Sequence, residues 1–124
     1  MLASNVPAWF EIPAARLDRA VQFYEKVLDV KLNRESMGPM QMAVFPHQQP
    51  NSTGALVAAE GYTPAPEGTV IYLNLSKDLS GPLGKVEKAG GKVLLGKTAL
   101  PDNMGYFAQF LDSEGNRVGF YSMQ

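Results

Sequence analysis

The sequence predicts an α+β fold made of two βαβββ modules, and three observations carry the prediction. Residues 9–34 and residues 72–97 each read strand, turn, helix, short strand, in the same order. Each stretch is followed by two strand-like runs around a polar turn, QMAVFPHQQPNSTGALVAA in the first half and YFAQFLDSEGNRVGFYS in the second. The offset between the copies, about 63 residues, is too long for a solenoid unit and suits a duplicated module. The expected organisation is one domain, with a first module over about 1–61 and a second over about 67–124. At 124 residues it can bury a core without covalent staples.

The elements follow from pattern. Val6 to Ile12 alternates, with Phe10 and Ile12 on one side and Trp9 and Glu11 on the other, and Pro13 closes the strand because it lacks a ladder donor. Leu17, Ala20, Val21, Tyr24 and Leu28 recur at helical spacing, and Phe23–Tyr24 reads as core packing. Val30–Glu35 and Gln41–Phe45 read as strands around Met37–Gly38–Pro39. Pro46 to Thr53 is a polar connection and Gly54–Ala59 a small apolar strand. Glu60–Gly68, with two glycines and two prolines, reads as the linker between modules.

Thr69–Ser76 repeats the alternation of the first strand. A second helix carries Leu83, Val86 and Ala89, admits Gly81 and Pro82 only in its first turn, and stops at Gly90–Gly91. Lys92–Lys97, Gly105–Leu111 and Arg117–Tyr121 are the remaining strands. Asp112 to Asn116 makes a hairpin turn on composition. The segment Thr98–Met104 reads as a mobile connecting loop. Helices belong on one sheet face, which leaves the other free for a cavity.

Composition narrows the function classes. Eleven basic and twelve acidic residues give a net charge of −1 without a basic run, so neither nucleic acid nor an anionic membrane is an expected partner. The absence of cysteine removes thiolate metal sites and any cysteine nucleophile, and agrees with a reducing compartment. No signal-like or membrane-spanning run occurs, and the expected location is cytoplasmic.

The run IPAARLDRAVQFYEKVLDVKL resembles the opening module of the vicinal oxygen chelate superfamily, which includes lactoylglutathione lyases, bleomycin-resistance proteins and extradiol dioxygenases. The stretch KVEKAGGKVLLGKTALPDNMGYFAQFLDSEGNRVGFYS resembles the closing module of its glyoxalase-like branch. The resemblance implies paired βαβββ modules whose sheets curl into a cup, often completed by a homodimer. Metal-dependent members carry one ligand on the first and last strand of each module. Carried over residue by residue, those positions are Trp9 and Leu56, then Tyr72 and Gly119. None offers a good ligand for a divalent ion: leucine and glycine side chains have no lone pair, tryptophan only donates, and tyrosine would need its pKa lowered. No metal ligand and no cofactor is therefore expected, with a divalent metal as the alternative. The single histidine, His47, falls in the polar connection and reads as a loop residue.

Strand alternation sends Trp9, Glu11, Tyr72, Asn74, Gly119 and Tyr121 to the cup side. Together with Leu56 they make a mostly apolar site with a few polar groups, suited to a small organic molecule. The same aromatics would serve equally as packing or as a dimer surface. Glu11 is the candidate catalytic residue, a general base; its structural reading is a salt bridge to Arg16, Arg117 or Lys77, or exposure at the rim. Two functions compete. The first is a metal-free protein that binds a small organic molecule in an aromatic cup, and the second is a metal-dependent isomerase or lyase of the lactoylglutathione lyase class.

Overall fold

The computed structural model describes every residue except Asn5 and Pro50; of the predicted connection 46–53, only Pro50 lies outside the described residues. Strand β1 spans Trp9–Pro13, helix α1 Leu17–Leu28, β2 Asn33–Met37, β3 Met40–Val44 and β4 Thr53–Ala58. The second half has β5 at Tyr72–Asn74, α2 at Ser80–Leu83, β6 at Lys92–Ala99, β7 at Tyr106–Leu111 and β8 at Arg117–Ser122. The strands form two four-stranded sheets, ordered β1-β4-β3-β2 and β5-β8-β7-β6. In each, the outer pair is parallel, β1 with β4 and β5 with β8, and the others are antiparallel. The duplicated α+β architecture predicted from the sequence is the one observed.

Helix α1 has the bounds its apolar spacing predicts and buries Ala20, Val21, Phe23, Tyr24 and Val27. Asp29 ends it in the left-handed conformation, φ 55°, and the Glu25 carboxylate accepts the Leu32 amide at 2.8 Å. That cap and tether delay β2 to Asn33, three residues after the expected start.

The second helix departs most from its prediction. Only one turn, Ser80–Leu83, is regular. Beyond it the amides of Lys85 and Val86 bond to the carbonyls of Pro82 and Leu83, three residues back, in the tighter pattern of a 3₁₀ turn. Gly81, Pro82 and Gly84 lower helix propensity at the start of the segment. Leu79 and Val86 still pack fully into the core, so the segment covers its sheet without being a long helix.

Several other bounds move. Strand β1 begins at Trp9 rather than Val6, and β5 keeps only three of the eight predicted residues. The predicted loop 98–104 is half strand and half turn. Thr98 and Ala99 belong to β6, Leu100 N–H bonds to Gly105 C=O at 2.8 Å, and the Tyr121 hydroxyl donates to Met104 C=O at 2.6 Å. These bonds anchor both ends of the segment, one to the residue that leads into β7 and the other to β8.

One core joins both halves. Ile12, Phe23, Tyr24, Val27, Phe45 and Leu56 pack in the same cluster as Leu79, Val86, Phe110, Val118 and Phe120. Edge-on and tilted ring contacts link Phe23, Tyr24, Phe110 and Phe120, with centroids 4.6–6.5 Å apart. Burial of these rings is the main stabilising term.

The β7–β8 turn closes this core like a bolt. Asp112 is 3% exposed and accepts bonds from the Tyr24 hydroxyl at 2.7 Å, the Glu114 and Asn116 amides at 2.9 Å, and Asn116 Nδ2 at 3.1 Å. Asn116 Nδ2 also donates to Pro13 C=O at 2.7 Å, and its Oδ1 accepts the Ala65 amide at 3.1 Å. Glu114 receives Arg19 Nε at 2.7 Å and the Arg16 amide at 2.8 Å. Burial pushes the Asp112 pKa up, against the hydrogen bonds it accepts. Burial, with the Asp112 carboxylate beside it, holds Tyr24 well above the ordinary phenol value, so Tyr24 remains the donor. For Glu114, burial is outweighed by Arg19, the Arg16 amide and Ser113, and its pKa falls. A turn read from composition thus fastens the second half to the β1–α1 junction of the first.

Among the described residues, no helix is long and apolar enough to cross a membrane.

Candidate functional site

The two sheets each have a face turned away from the helices, and strand alternation decides which side chains reach it. On β1, Ile12 and Phe10 point to the shared core, so Trp9 and Glu11 point the other way. On β8, Val118 and Phe120 are core, which leaves Arg117, Gly119 and Tyr121 on the helix-free face. The same parity on β7 adds Phe107 and Gln109.

Leu56 is not there. It is 0% exposed and packs in the shared core beside Ile12, its partner across β1–β4. The repeat offset explains the error. Trp9 faces Thr53 across its parallel pair, whereas Tyr72 faces Gly119 across the corresponding pair. The offset of 63 residues that relates Trp9 to Tyr72 has become 66 by the last strand. Three is an odd number, and an odd shift turns every side chain to the opposite face. Strand β4 instead presents Ala55 and Val57 to the helix-free side, packed with Met42 and Val44 and flanked by Met40 and Tyr62.

The remaining predicted residues form two patches. On the first sheet, Trp9 is 43% exposed and its Nε1 donates to Glu11 Oε2 at 3.2 Å. The Tyr62 hydroxyl donates to Glu11 Oε1 at 2.7 Å, a bond that raises the Tyr62 pKa. Glu11 is exposed, and among the described residues it makes no salt bridge to Arg16, Arg117 or Lys77. Its two oxygens are occupied by an indole and a phenol instead.

On the second sheet, Tyr72 is 40% exposed and its ring lies across Gly119, where a β-carbon would collide with it. Glycine at 119 is thus what lets the ring lie flat against the strand. Gln109 Nε2 donates to the Tyr72 hydroxyl at 2.6 Å, and Arg117 Nη1 donates to Gln109 Oε1 at 2.9 Å. The Phe107 ring stands near Tyr72, with centroids 6.1 Å apart. Tyr121 is half-buried, and Asn74 pairs with it in register.

Sequence reasoning missed Tyr62, Phe107, Gln109 and Arg117. The last three were readable from parity, because each alternates with a core residue: Ala108 and Phe110 on β7, Val118 on β8. Tyr62 carried no such signal, since it lies outside any strand, and only the folded path of the 60–68 segment brings it over Glu11.

A groove of about 750 Å³ separates the first sheet from β5. Its lining is mixed: Phe10, Leu28, Phe45, Ile71 and Leu73 are apolar, Asn51, Ser52 and Thr53 are polar, and Tyr72 and Asn74 stand on its wall. Two of the predicted residues therefore border both this groove and the helix-free face.

No side-chain cluster suited to a metal accompanies these patches. Among the described residues, no three or more of His, Cys, Asp and Glu come together closely enough to hold an ion. His47 is exposed in the connection after β3, as its sequence context predicts.

The model of the Glyoxalase/Bleomycin resistance protein/Dioxygenase superfamily matches residues 7–120. The chain belongs to that superfamily. Solved structures of the glyoxalase fold agree with the assignment. A glyoxalase/bleomycin resistance protein/dioxygenase family enzyme from Burkholderia phytofirmans PsJN superposes with a TM-score of 0.68 at 12% identity, over 94% of this chain and 98% of its own. The hypothetical protein SA1046 from S. aureus gives 0.67 at 25% identity, over 94% and 92%. Glyoxalase I from Zea mays gives 0.64 at 21% identity, and there 94% of this chain covers only 45% of the maize chain. The superfamily member described here thus spans just under half the maize enzyme's length. No curated protein matches it in sequence.

Proposed function

We propose that this superfamily member binds a small organic molecule on the helix-free face of its sheets, without the divalent metal of metal-dependent relatives. The observation that carries the reading is a pair of large aromatic rings, Trp9 and Tyr72, that are exposed and yet held in orientation by hydrogen bonds to Glu11 and Gln109. An exposed ring that is already oriented loses little entropy on contact with a ligand, and its flat face stacks on planar or cationic groups. The donor set argues against the metal: of the carried-over positions, Trp9, Tyr72 and Gly119 supply no ready ligand, and the neighbouring Glu11 carboxylate is already engaged by two donors. With its carboxylate so placed, Glu11 serves this reading better as an orienting group for Trp9 than as a free general base.

Trp9→Ala tests the reading. Because the indole is exposed, its loss is expected to change stability by no more than about 0.5 kcal/mol. Binding of an aromatic molecule found by thermal-shift screening is expected to weaken by about 1–3 kcal/mol, the range for loss of an aromatic anchor. Unchanged affinity would defeat the proposal, and so would a stoichiometric divalent metal whose chelation abolishes activity.

The same exposed rings, together with the unpaired outer edges of β1 and β5, support a homodimer as the working form. Light scattering at micromolar concentration is expected to return twice the 13.5 kDa chain mass, and a monomer would contradict this.

A further inference from the structure

We propose that the molecule held on this face is an anion, and that Arg117 is its anchor. The inference rests on the small-molecule reading above. Arg117 is half-buried on β8, and its charge has no carboxylate partner among the described residues. Its Nε donates to Pro66 C=O at 3.1 Å and its Nη1 to Gln109 Oε1 at 2.9 Å. Both acceptors are neutral, so they orient the guanidinium without compensating it. A guanidinium has five N–H donors, and three remain free. A partly desolvated cation held in one orientation, with donors to spare, favours a planar carboxylate or a phosphoryl oxygen, which can be bound through two parallel bonds.

The relay that starts at Arg117 also prepares a second donor. By donating to Gln109 Oε1, Arg117 decides which way the Gln109 amide faces. Its Nε2 must then point to Tyr72 and donate to the hydroxyl oxygen at 2.6 Å. The Tyr72 hydroxyl is thus used as an acceptor, and its own hydrogen is left for a ligand. Tyr72 and Gln109 both pair in register with Gly119, and Arg117 lies two residues from Gly119 on β8, on the same face, so charge, hydroxyl donor and the exposed Tyr72 ring are neighbours on the second sheet. The chemical class that satisfies all three is a small aromatic acid, its ring on Tyr72 and its anionic group on Arg117.

The test compares acids with their neutral amides. Benzoate, 3-phenylpropionate and 2-naphthoate are titrated against the full chain by calorimetry, each beside the corresponding carboxamide. At least one acid is expected to bind tenfold or more tightly than its amide, and to weaken as salt is raised. Arg117→Gln is expected to erase that preference, weakening the acid at least tenfold more than the amide. Arg117→Lys should restore part of it, since charge returns without the planar fork. A role for Arg117 that is only structural would lower acid and amide binding by the same factor, so equal loss of both in Arg117→Gln overturns the proposal. Thermal melts of both variants identify any that fail to fold, and Tyr72→Phe then supplies the decision: removal of the hydroxyl must weaken the acid more than the amide. Equal binding of acid and amide to the unaltered protein overturns the anion anchor while the small-molecule reading survives. If no member of either series binds, both readings fall.

Discussion

Asp112→Ala is expected to destabilise the protein by about 3–5 kcal/mol, the range for deleting one member of a buried charged network. The carboxylate accepts from Tyr24 Oη, Asn116 Nδ2 and two backbone amides, and its removal strands several buried donors at once. Urea unfolding gives the number, and a double-mutant cycle with Tyr24→Phe apportions it. In the Asp112→Ala background, Tyr24→Phe should cost less than it does alone, because the hydroxyl has already lost its acceptor. A loss below about 1 kcal/mol for Asp112→Ala, the net value of one ordinary hydrogen bond, would show that the turn does not lock the two halves together.

Leu56→Ala is expected to cost about 2–5 kcal/mol of stability, the usual penalty for a cavity in a well-packed core, and to leave the affinity of the helix-free face unchanged. The position discriminates sharply between the two faces of β4. Were Leu56 on the ligand side, the substitution would weaken binding and spare stability. Ala55 and Val57, one residue to either side, are the β4 positions that look toward that face. Parallel denaturation and binding titrations on the one variant separate these outcomes.

The contrast between Leu56 and Trp9 shows how far alternation alone reaches. For β1 and β8 the burial of Phe10, Ile12, Val118 and Phe120 follows from period two, and with it the exposure of Trp9, Glu11, Arg117 and Tyr121 to the other side. Trp9 and Tyr72 were therefore placed on their face correctly. Leu56 was carried from Gly119 by a constant offset, and an offset counts residues without knowing where the second copy is longer. Strand register is set by ladder hydrogen bonds between segments distant in the chain, and no local pattern encodes a three-residue difference between two hairpins.

The same division holds for the turn at 112–116. Its residue types predicted a reversal of the chain, and the reversal is there. That its carboxylate meets the Tyr24 hydroxyl, 88 residues away, belongs to the packing of one half on the other. Helix α2 illustrates the converse: Gly81 and Pro82 restricted where a helix could begin, but only the burial of Leu79 and Val86 shows why an irregular segment suffices to cover the sheet.

What the sequence determined by itself is the duplicated α+β plan, the superfamily, the bounds of α1 and the two outer aromatic rings. These rest on periodicities and on a repeat legible within a few tens of residues. Tertiary structure alone decided the face of Leu56, the seating of Tyr62 over Glu11, the Arg117–Gln109–Tyr72 relay and the bolt at Asp112. Each of these joins groups from separate segments, and their meeting depends on register and on the packing of two sheets around one core, which are properties of the whole chain.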